Sequence, residues 1–379
     1  MKKRLGDYIK EYSVRNKENQ DIPVYSVTNT EGFCQDYFGK EVASKDKSTY
    51  KIVPQGYFAY NPSRINVGSV DWQRTQERVI VSPLYNVFSV SDKLDQQYLY
   101  YYLKSDFALQ RIKAVATGSV RDNLKLKMLY EFPINIPELS SQKNIVELLD
   151  KIKKIEGVKK AELDYFDTLV KARFVEMFGN PNEINKIANA QIKDVASVKV
   201  GIVIKPTQFY SDDKTGKCAF RSLNIIPFGV KKNSEWVYFT DAAMSENKRT
   251  IVHEGDLLIV RSGNPGTCCV VPREYDGCNV IDLIIAHPDN SKILPEYLCA
   301  FTNMPHGMNQ INNQQHGVAQ RHFNVSIYEK MKLYVPKLSM QHQFVDFMIR
   351  ADKSKVAINR CTVIIGKALQ SGYHYVWGN

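Results

Sequence analysis

From Leu139 to Phe178 the chain reads LSSQKNIVELLDKIKKIEGVKKAELDYFDTLVKARFVEMF, without proline and with one glycine, Gly157. Ile145, Leu148, Leu149, Ile152 and Ile155 recur at the spacing that places them on one helix face. Leu163, Phe166, Leu169, Val170 and Phe174 resume the stripe after a phase shift near Gly157. Ser140 and Ser141, behind Pro137, offer N-caps, and Gly179-Asn180-Pro181 stops the helix. At 1.5 Å per residue such a helix spans roughly 55–60 Å. One apolar stripe on so long a helix needs a partner helix. The stretch from Ser339 to Ser371 supplies it, and antiparallel pairing is expected, with Ile145, Leu148, Ile152 and Ile155 buried against Phe344, Met348, Val356 and Val363.

The lead-ins to the two helices form a repeat. Pro137 and Pro336 are 199 positions apart, as are Leu139 and Leu338, Ser140 and Ser339, and Gln142 and Gln341. The same offset joins Gly118 to Gly317, Tyr98-Leu99 to Tyr297-Leu298, and Gly56 to Gly255. A constant offset over this distance predicts a tandem duplication of one unit, a globular domain followed by a long helix. The expected fold is mixed α/β, with two repeated domains separated by two long antiparallel helices in pseudo-twofold arrangement. The expected boundaries are a first domain at 1–138, a central helix at 139–180, a second domain at 181–338 and a C-terminal helix at 339–379.

Within the first domain, LGDYIKEYSV reads as a short helix and IPVYSVT as a strand. Asn29-Thr30-Glu31-Gly32 reads as a turn. Tyr50 to Tyr60 reads as two strands broken at Pro54-Gln55-Gly56, and Arg78 to Val90 as a further strand region. Leu94 to Ala116 has helical spacing. A short helix at Asn123–Leu129 and a strand at Phe132–Ile136 follow. In the second domain QIKDVASVKV stands where LGDYIKEYSV stood, Asn279 to Ala286 is the long apolar strand, and Leu294 to Asn309 is the matching helix. Extra length falls near Ser211 to Lys232. The two domains match in framework and differ in polar loops.

Composition narrows the class. The 379 residues are 44% hydrophobic and 24% charged, as in globular chains. No apolar run reaches membrane-spanning length, and the basic start MKKRLGDYIKEY has no apolar signal core behind it, so a cytoplasmic location is expected. Seven cysteines at irregular spacing fit reduced thiols. A net charge of +11 and a pI near 9.1 imply an anionic partner, most often nucleic acid.

Catalytic signals are mostly missing. Tyr60-Asn61-Pro62-Ser63 and Asn264-Pro265-Gly266 lack the second proline and aromatic of an amino-methyltransferase motif, and read as loops. There is no phosphate-binding P-loop. Pro288-Asp289 and Glu296-Tyr297-Leu298 lack the lysine of a metal-dependent nuclease, so Glu296 reads as structural. Cys268, Cys269 and Cys278 with His253 or His287 lack paired zinc-ligand spacing and read as buried thiols. No catalytic, cofactor-binding or metal-binding residue is assigned. The competing reading is a two-domain nuclease or methyltransferase with an unfamiliar active site.

Nucleic-acid signals fall in two pairs of loops. Gly118-Ser119-Val120-Arg121 and Gly317-Val318-Ala319-Gln320-Arg321-His322 occupy matched positions. Glycine there lets backbone N–H groups approach phosphate, and arginine can fork to phosphate or guanine. The second pair follows central strands: Arg64 and Asn66, continuing to Arg74 and Arg78, and Arg261 with Asn264. Ser119, Arg121, Gln320, Arg321 and His322 join them as candidate DNA contacts. Lys231-Lys232 and Lys248-Arg249 suit the DNA backbone. A solvated surface loop is the alternative reading of each.

Leu5-Gly6-Asp7-Tyr8-Ile9, the paired lead-ins IPELSSQ and VPKLSMQ, and RFVEMFGNP at Arg173–Pro181 give the chain a resemblance to the specificity subunit of type I restriction-modification systems. The resemblance covers the whole chain. Family members usually carry glutamate before the lead-in glutamine; Gln142 and Gln341 lack it. The resemblance implies that each domain is a target recognition domain for half of a bipartite double-stranded DNA site, and that the helices set the spacing. It implies no catalysis in this chain. Methyltransferase subunits using S-adenosylmethionine and translocase-nuclease subunits using ATP and Mg would be its partners, in phage defence.

Overall fold

The computed structural model of the chain describes residues 2–35, 46–116, 123–203, 205–211, 216–315, 323–373 and 376–377. They fall into two compact units, Met1–Ala161 with Ile358–Asn379, and Glu162–Ala357. Each long helix therefore passes from one unit into the other.

In the first unit β1 (Lys3–Arg4) leads through a single 3-10 turn at Leu5–Asp7 into β2 (Ile9–Glu11). A hairpin, β3 (Ser26–Thr28) and β4 (Gly32–Cys34), precedes β5 (Lys51–Pro54), β6 (Phe58–Tyr60), β7 (Val70–Trp72), β8 (Arg78–Val81) and β9 (Asn86–Val90). Four of these make an antiparallel sheet in the order β2-β9-β6-β7, while β5 pairs with β8. Helices α1 (Gln96–Lys104), α2 (Asp106–Val115) and α3 (Leu126–Tyr130) follow, then β10 (Pro133–Ile134), which pairs with β1, and α4 (Leu139–Phe178). The core joins Phe58 and Phe88 of the sheet, Tyr98, Leu99 and Leu103 of α1, and Trp377.

The second unit repeats the plan. After α5 (Ile184–Ile187) come β11 (Ala190–Gln191), β12 (Ala196–Val200), β13 (Lys217–Phe220), β14 (Ile225–Ile226), β15 (Gly229–Val230), β16 (Val237–Phe239) and α6 (Asp241–Glu246). Next are β17 (Leu257–Val260), β18 (Cys268–Val270), β19 (Asn279–Val280), β20 (Leu283–Pro288), α7 (Pro295–Asn303), α8 (Pro305–Gln315), α9 (Val325–Glu329), β21 (Lys332–Leu333) and α10 (Leu338–Tyr373). The sheet β12-β20-β17-β18 has the connectivity of β2-β9-β6-β7, and β11 pairs with β21 as β1 does with β10. From α1 to α4, each helix starts 199 residues before its counterpart in α7 to α10. The strands β1 and β11 start only 187 apart, so the second unit carries 12 additional residues between β12 and β17. A separate sheet, β16-β13-β19, lies in the same unit.

Within the second unit the helices run antiparallel. Asp167 of α4 pairs with Lys355 of α10 at 2.7 Å, Arg173 lies over the Phe347 ring, and Phe174 meets Phe344 edge to face at 5.0 Å. Positions rise along α10 as they fall along α4. The helix α4 continues through Gly157 and ends at Gly179, whose φ of 89° only glycine adopts freely and whose N–H bonds the Val175 carbonyl at 2.8 Å.

Several expectations need correction. The mid-helix stripe is not buried: Leu148 is 59% exposed, Ile155 45%, Val356 50% and Val363 58%. Ile145 and Ile152 instead pack on the first unit's core, and Phe344 and Met348 belong to the second unit's core. The helices are anchored by their ends rather than along their length. LGDYIKEYSV and QIKDVASVKV are not helices, because Ile9–Glu11 and Ala196–Val200 are claimed by strands β9 and β20. Leu94–Ala116 breaks into α1 and α2 at Ser105, whose hydroxyl accepts the Ala108 N–H. Asn279–Ala286 breaks at Asp282, in the left-handed region at φ 50°. Pro305 opens α8 rather than interrupting a helix. Helix α4 already includes Ser140 and Ser141, so neither caps it.

Candidate nucleic-acid interface

In each unit the loop after a central strand is tied to the segment leading into a short helix. The Pro62 carbonyl accepts the Leu124 N–H at 3.1 Å, and Ser63 Oγ donates to Asn123 Oδ1 at 2.6 Å. In the second unit Arg261 Nε donates to the Phe323 carbonyl at 3.3 Å. Pro62 and Arg261 are 199 residues apart, and so are Leu124 and Phe323. Of the two loop pairs expected from sequence, the one that follows the central strands is thus tied to Leu124 in the first unit and to Phe323 in the second. The other candidates of those pairs, Ser119, Arg121, Gln320, Arg321 and His322, lie outside the described residues.

The first loop is built by a short 3-10 turn, Ile65–Val67, that buries Ile65 and ends at Gly68 in the left-handed region. Asn61 starts the loop by accepting the Ser63 N–H through its side chain and the Arg64 and Ile65 N–H groups through its carbonyl. Arg64 is left exposed, with no side-chain hydrogen bond among the described residues, and Asn66 is half-buried beside it. Arg78 stands exposed at the start of β8, opposite Pro54. Arg74 is differently placed. Its guanidinium donates to Asp71 Oδ1 at 2.7 Å and to Gln97 Oε1 at 3.2 Å, and lies 4.5 Å from the Trp72 ring centroid. These contacts fix its direction.

In the second unit Arg261 is only 16% exposed and pairs with Asp282 at 2.5 Å. It braces the turn rather than projecting from it. Ser262, Gly263 and Asn264 are the exposed residues of that turn, which holds Gly263 and Gly266 at φ of 88° and 91°. A Cβ at Gly266 would stand 2.5 Å from Ile311 Cδ1, so α8 holds the turn closely. Lys231 and Lys232 are exposed, Lys232 pairing with Glu274 at 2.6 Å. Lys248 and Arg249 lie in a 3-10 turn, and Arg249 lines an open cavity of about 520 Å³ together with Lys199.

The residues weighed for catalysis are placed otherwise. Cys268, Cys269 and Cys278 are buried, and burial pushes the Cys268 and Cys269 thiols up. Among the described residues no three His, Cys, Asp or Glu side chains group as metal ligands. Glu296 begins α7, whose Tyr297 and Leu298 are core. No described helix is long and apolar enough to cross a membrane.

Two features escaped the sequence reading. One is the hairpin β14–β15, signalled by the apolar run Ile225-Ile226 before Pro227-Phe228-Gly229. The other is Trp377, buried against Tyr98 and Tyr102 with ring centroids 5.3 and 6.0 Å away. Trp377-Gly378-Asn379 matches Phe178-Gly179-Asn180 at the same 199-residue offset, a match visible in the sequence.

The model of the type I restriction modification DNA specificity domain matches residues 3–165 and 186–365. A putative type I restriction enzyme specificity subunit of Haemophilus influenzae is 26% identical over 310 residues, covering 76% of this chain and 73% of its own. Among solved structures, a chain from a type I R-M system, described for its complex assembly and conformational transition, gives a TM-score of 0.65 at 13% identity, covering 99% of this chain and 97% of its own. The type I restriction-modification S subunit of M. genitalium gives 0.55 at 12% identity, covering 100% and 96%. With two copies of the domain spanning most of its length, the chain belongs to the type I restriction-modification DNA specificity family.

Proposed function

We propose that each unit reads one half of a bipartite double-stranded DNA site, and that α4 and α10 fix the gap between the halves. The family is a non-catalytic one whose role is DNA specificity. The observation that carries the finer reading is the matched tie, in each unit, of the polar loop after the central strand to the segment before the short helix, through Pro62–Leu124 and Arg261–Phe323. A shared framework bearing different loops predicts two different half-sites and an asymmetric target. Arg64, Asn66, Arg78 and Asn264 are the described candidates whose side chains we assign to DNA contact, and Ser119, Arg121, Gln320, Arg321 and His322 are further proposed contacts on sequence grounds. Arg74 and Arg261 support these loops through their ion pairs.

Methyltransferase subunits dock on the helices in this reading, and translocase-nuclease subunits join them. The exposed apolar side chains of Leu148, Ile155, Val158 and Val363 support that docking. S-adenosylmethionine, ATP and Mg then belong to those partners, working in the cytoplasm on the host genome and on phage DNA. Mapping methylated bases in a host with and without this gene tests the proposal. The gene should account for one asymmetric, two-part motif; a continuous motif, or methylation unchanged by its loss, contradicts it.

A further inference from the structure

Both units carry a hairpin against the edge strand of the central sheet, and the two hairpins differ at the tip. In the first unit β3–β4 turns through Asn29-Thr30-Glu31, all exposed and polar, and Phe33 N–H bonds Asp71 of β7 at 3.3 Å. In the second unit β14–β15 turns through Pro227-Phe228, and Phe228 N–H bonds the Cys268 carbonyl of β18 at 2.9 Å. Ser26 and Ile225, where the hairpins begin, are again 199 residues apart.

The second hairpin is apolar and open at its lead-in residue Leu223 and at its tip. Phe228 is 40% exposed, Ile226 43% and Leu223 41%. Phe228 also holds φ at 65°, a conformation unfavourable for a residue with a bulky side chain. The hairpin is nevertheless rigidly seated. Asn224, fully buried, accepts the Arg221 N–H at 2.7 Å and donates to Ser234 Oγ and the Glu235 carbonyl at 2.8 and 3.0 Å, while its own carbonyl accepts the Lys231 N–H. A strained, solvent-facing phenylalanine on a clamped base contributes nothing to the core. Strain of this kind is concentrated where a side chain must be presented.

Resting on the DNA-reading assignment above, we propose that β14–β15 enters the major groove of the second half-site and that Phe228 contacts a thymine methyl group there. The major groove admits a two-stranded ribbon, and phenylalanine is a suitable apolar partner for the methyl. DNA is the occupant that the surroundings fit. The hairpin lies in a DNA specificity domain. Its tip is hydrogen-bonded to Cys268, next to the exposed turn carrying Asn264. Lys231 and Lys232 flank it for the phosphates, and the surface pair of Lys232 with Glu274 is weak enough to be exchanged. The polar tip Asn29-Thr30-Glu31 then reads other chemistry in the first half-site, which makes the hairpins determinants of the difference between halves.

The test uses the complete complex with its methyltransferase partners and a duplex carrying the mapped target. Each thymine of the second half-site is replaced in turn by deoxyuridine, which lacks only the methyl group. At one position the substitution should weaken binding by the natural chain roughly fourfold, the effect of one methyl removed from an apolar contact. Phe228→Ala should bind thymine and deoxyuridine duplexes equally and keep the thermal midpoint of the natural chain. An unchanged thymine preference in Phe228→Ala, no preference in the natural chain, or a half-site without thymine on either strand overturns the contact while sequence-specific binding persists. Loss of sequence-specific binding by the natural complex would instead overturn the DNA-reading assignment.

Discussion

Gln142 and Gln341, 199 residues apart, make the same three side-chain hydrogen bonds. Gln142 Oε1 accepts the Asp95 N–H at 2.9 Å, and its Nε2 donates to the Lys93 and Pro137 carbonyls at 3.0 and 2.8 Å. Gln341 does the same with Leu294, Lys292 and Pro336 at 2.8, 3.0 and 2.8 Å. Each glutamine joins the first turn of a long helix to the loop before α1 or α7, and so sets where the helix leaves its domain. Both side chains are fully buried.

Gln142→Ala should therefore cost about 2–4 kcal/mol in the first unit, because one N–H and two carbonyls lose their partner. Gln142→Glu keeps the shape but turns an acceptor toward two carbonyls. Its carboxyl pKa should be raised in the folded state above the unfolded value. The variant's deficit should then be smallest below the unfolded glutamate pKa and grow as pH rises through the raised one. Denaturant unfolding across pH measures this; a deficit independent of pH would show that the amide donor is not what matters.

Trp377 and Phe178 close their units in the same way. Trp377 meets Tyr98 edge to face, and Phe178 meets Tyr297, the counterpart of Tyr98, at 5.0 Å. Trp377→Ala should destabilise the first unit by about 3–5 kcal/mol, and Trp377→Phe by much less. Hydrogen exchange read by mass spectrometry should show lost protection in α1 and not in α7. Equal loss in both would refute independent closure.

His306 fixes the end of α4 to the second unit. Its Nε2 bonds the Gly179 carbonyl at 2.8 Å, its ring meets Phe174 at 4.8 Å, and its Nδ1 is buried with no partner among the described residues. Burial lowers its pKa, partly offset by the Gly179 hydrogen bond. A depressed histidine stabilises the fold above its unfolded pKa, and that stability is lost as pH falls through the folded value. The second unit should weaken as pH falls below the ordinary histidine value of about 6.5, and His306→Gln should flatten this dependence. An identical pH profile in the variant would exclude His306 as the cause.

The two central-strand arginines should separate in their effects. Arg64, exposed and without a side-chain hydrogen bond among the described residues, should when changed to alanine lower DNA affinity and reduce the salt slope by about one, without changing the thermal midpoint. Arg261, paired with Asp282, should when changed to alanine lower the midpoint of the second unit as well as the affinity. Thermal unfolding and salt-dependent binding together distinguish them. A stable Arg261→Ala with an altered salt slope would move Arg261 from support to contact.

The long helices were legible because helical spacing recurs on both sides of Gly157 in the 40 residues of α4, and the duplication because its offset held at 199. Local reading failed where distant strands decide the conformation. Ile9–Glu11 has helical neighbours in sequence but pairs with Phe88–Val90. The exposed middle of the helix pair was missed because one apolar stripe does not show how much of it a partner covers. Within the candidate interface, the turns that carry Arg64 and Asn264 were legible from the Asn, Pro and Gly in them. The ties of Arg74 to Gln97 and of Arg261 to Asp282 span about twenty residues and leave no local pattern. Phe228 was missed because an apolar residue in a loop carries no polar signature of binding.

In the proposed function the helices set a gap and the domains set the bases. Four residues inserted in α4 at Gly157, and four in α10 between Ala357 and Ile358, lengthen both connections between the units by roughly 6 Å. An added Cβ at Gly157 would meet nothing within 4 Å, so the helix there tolerates change. DNA rises about 3.4 Å per base pair. Sequencing the methylated sites of a host carrying this variant measures the outcome. The same two half-sites should appear with a gap longer by one to two base pairs, whereas an active complex that keeps the old gap, or changes its half-site bases, would contradict the account.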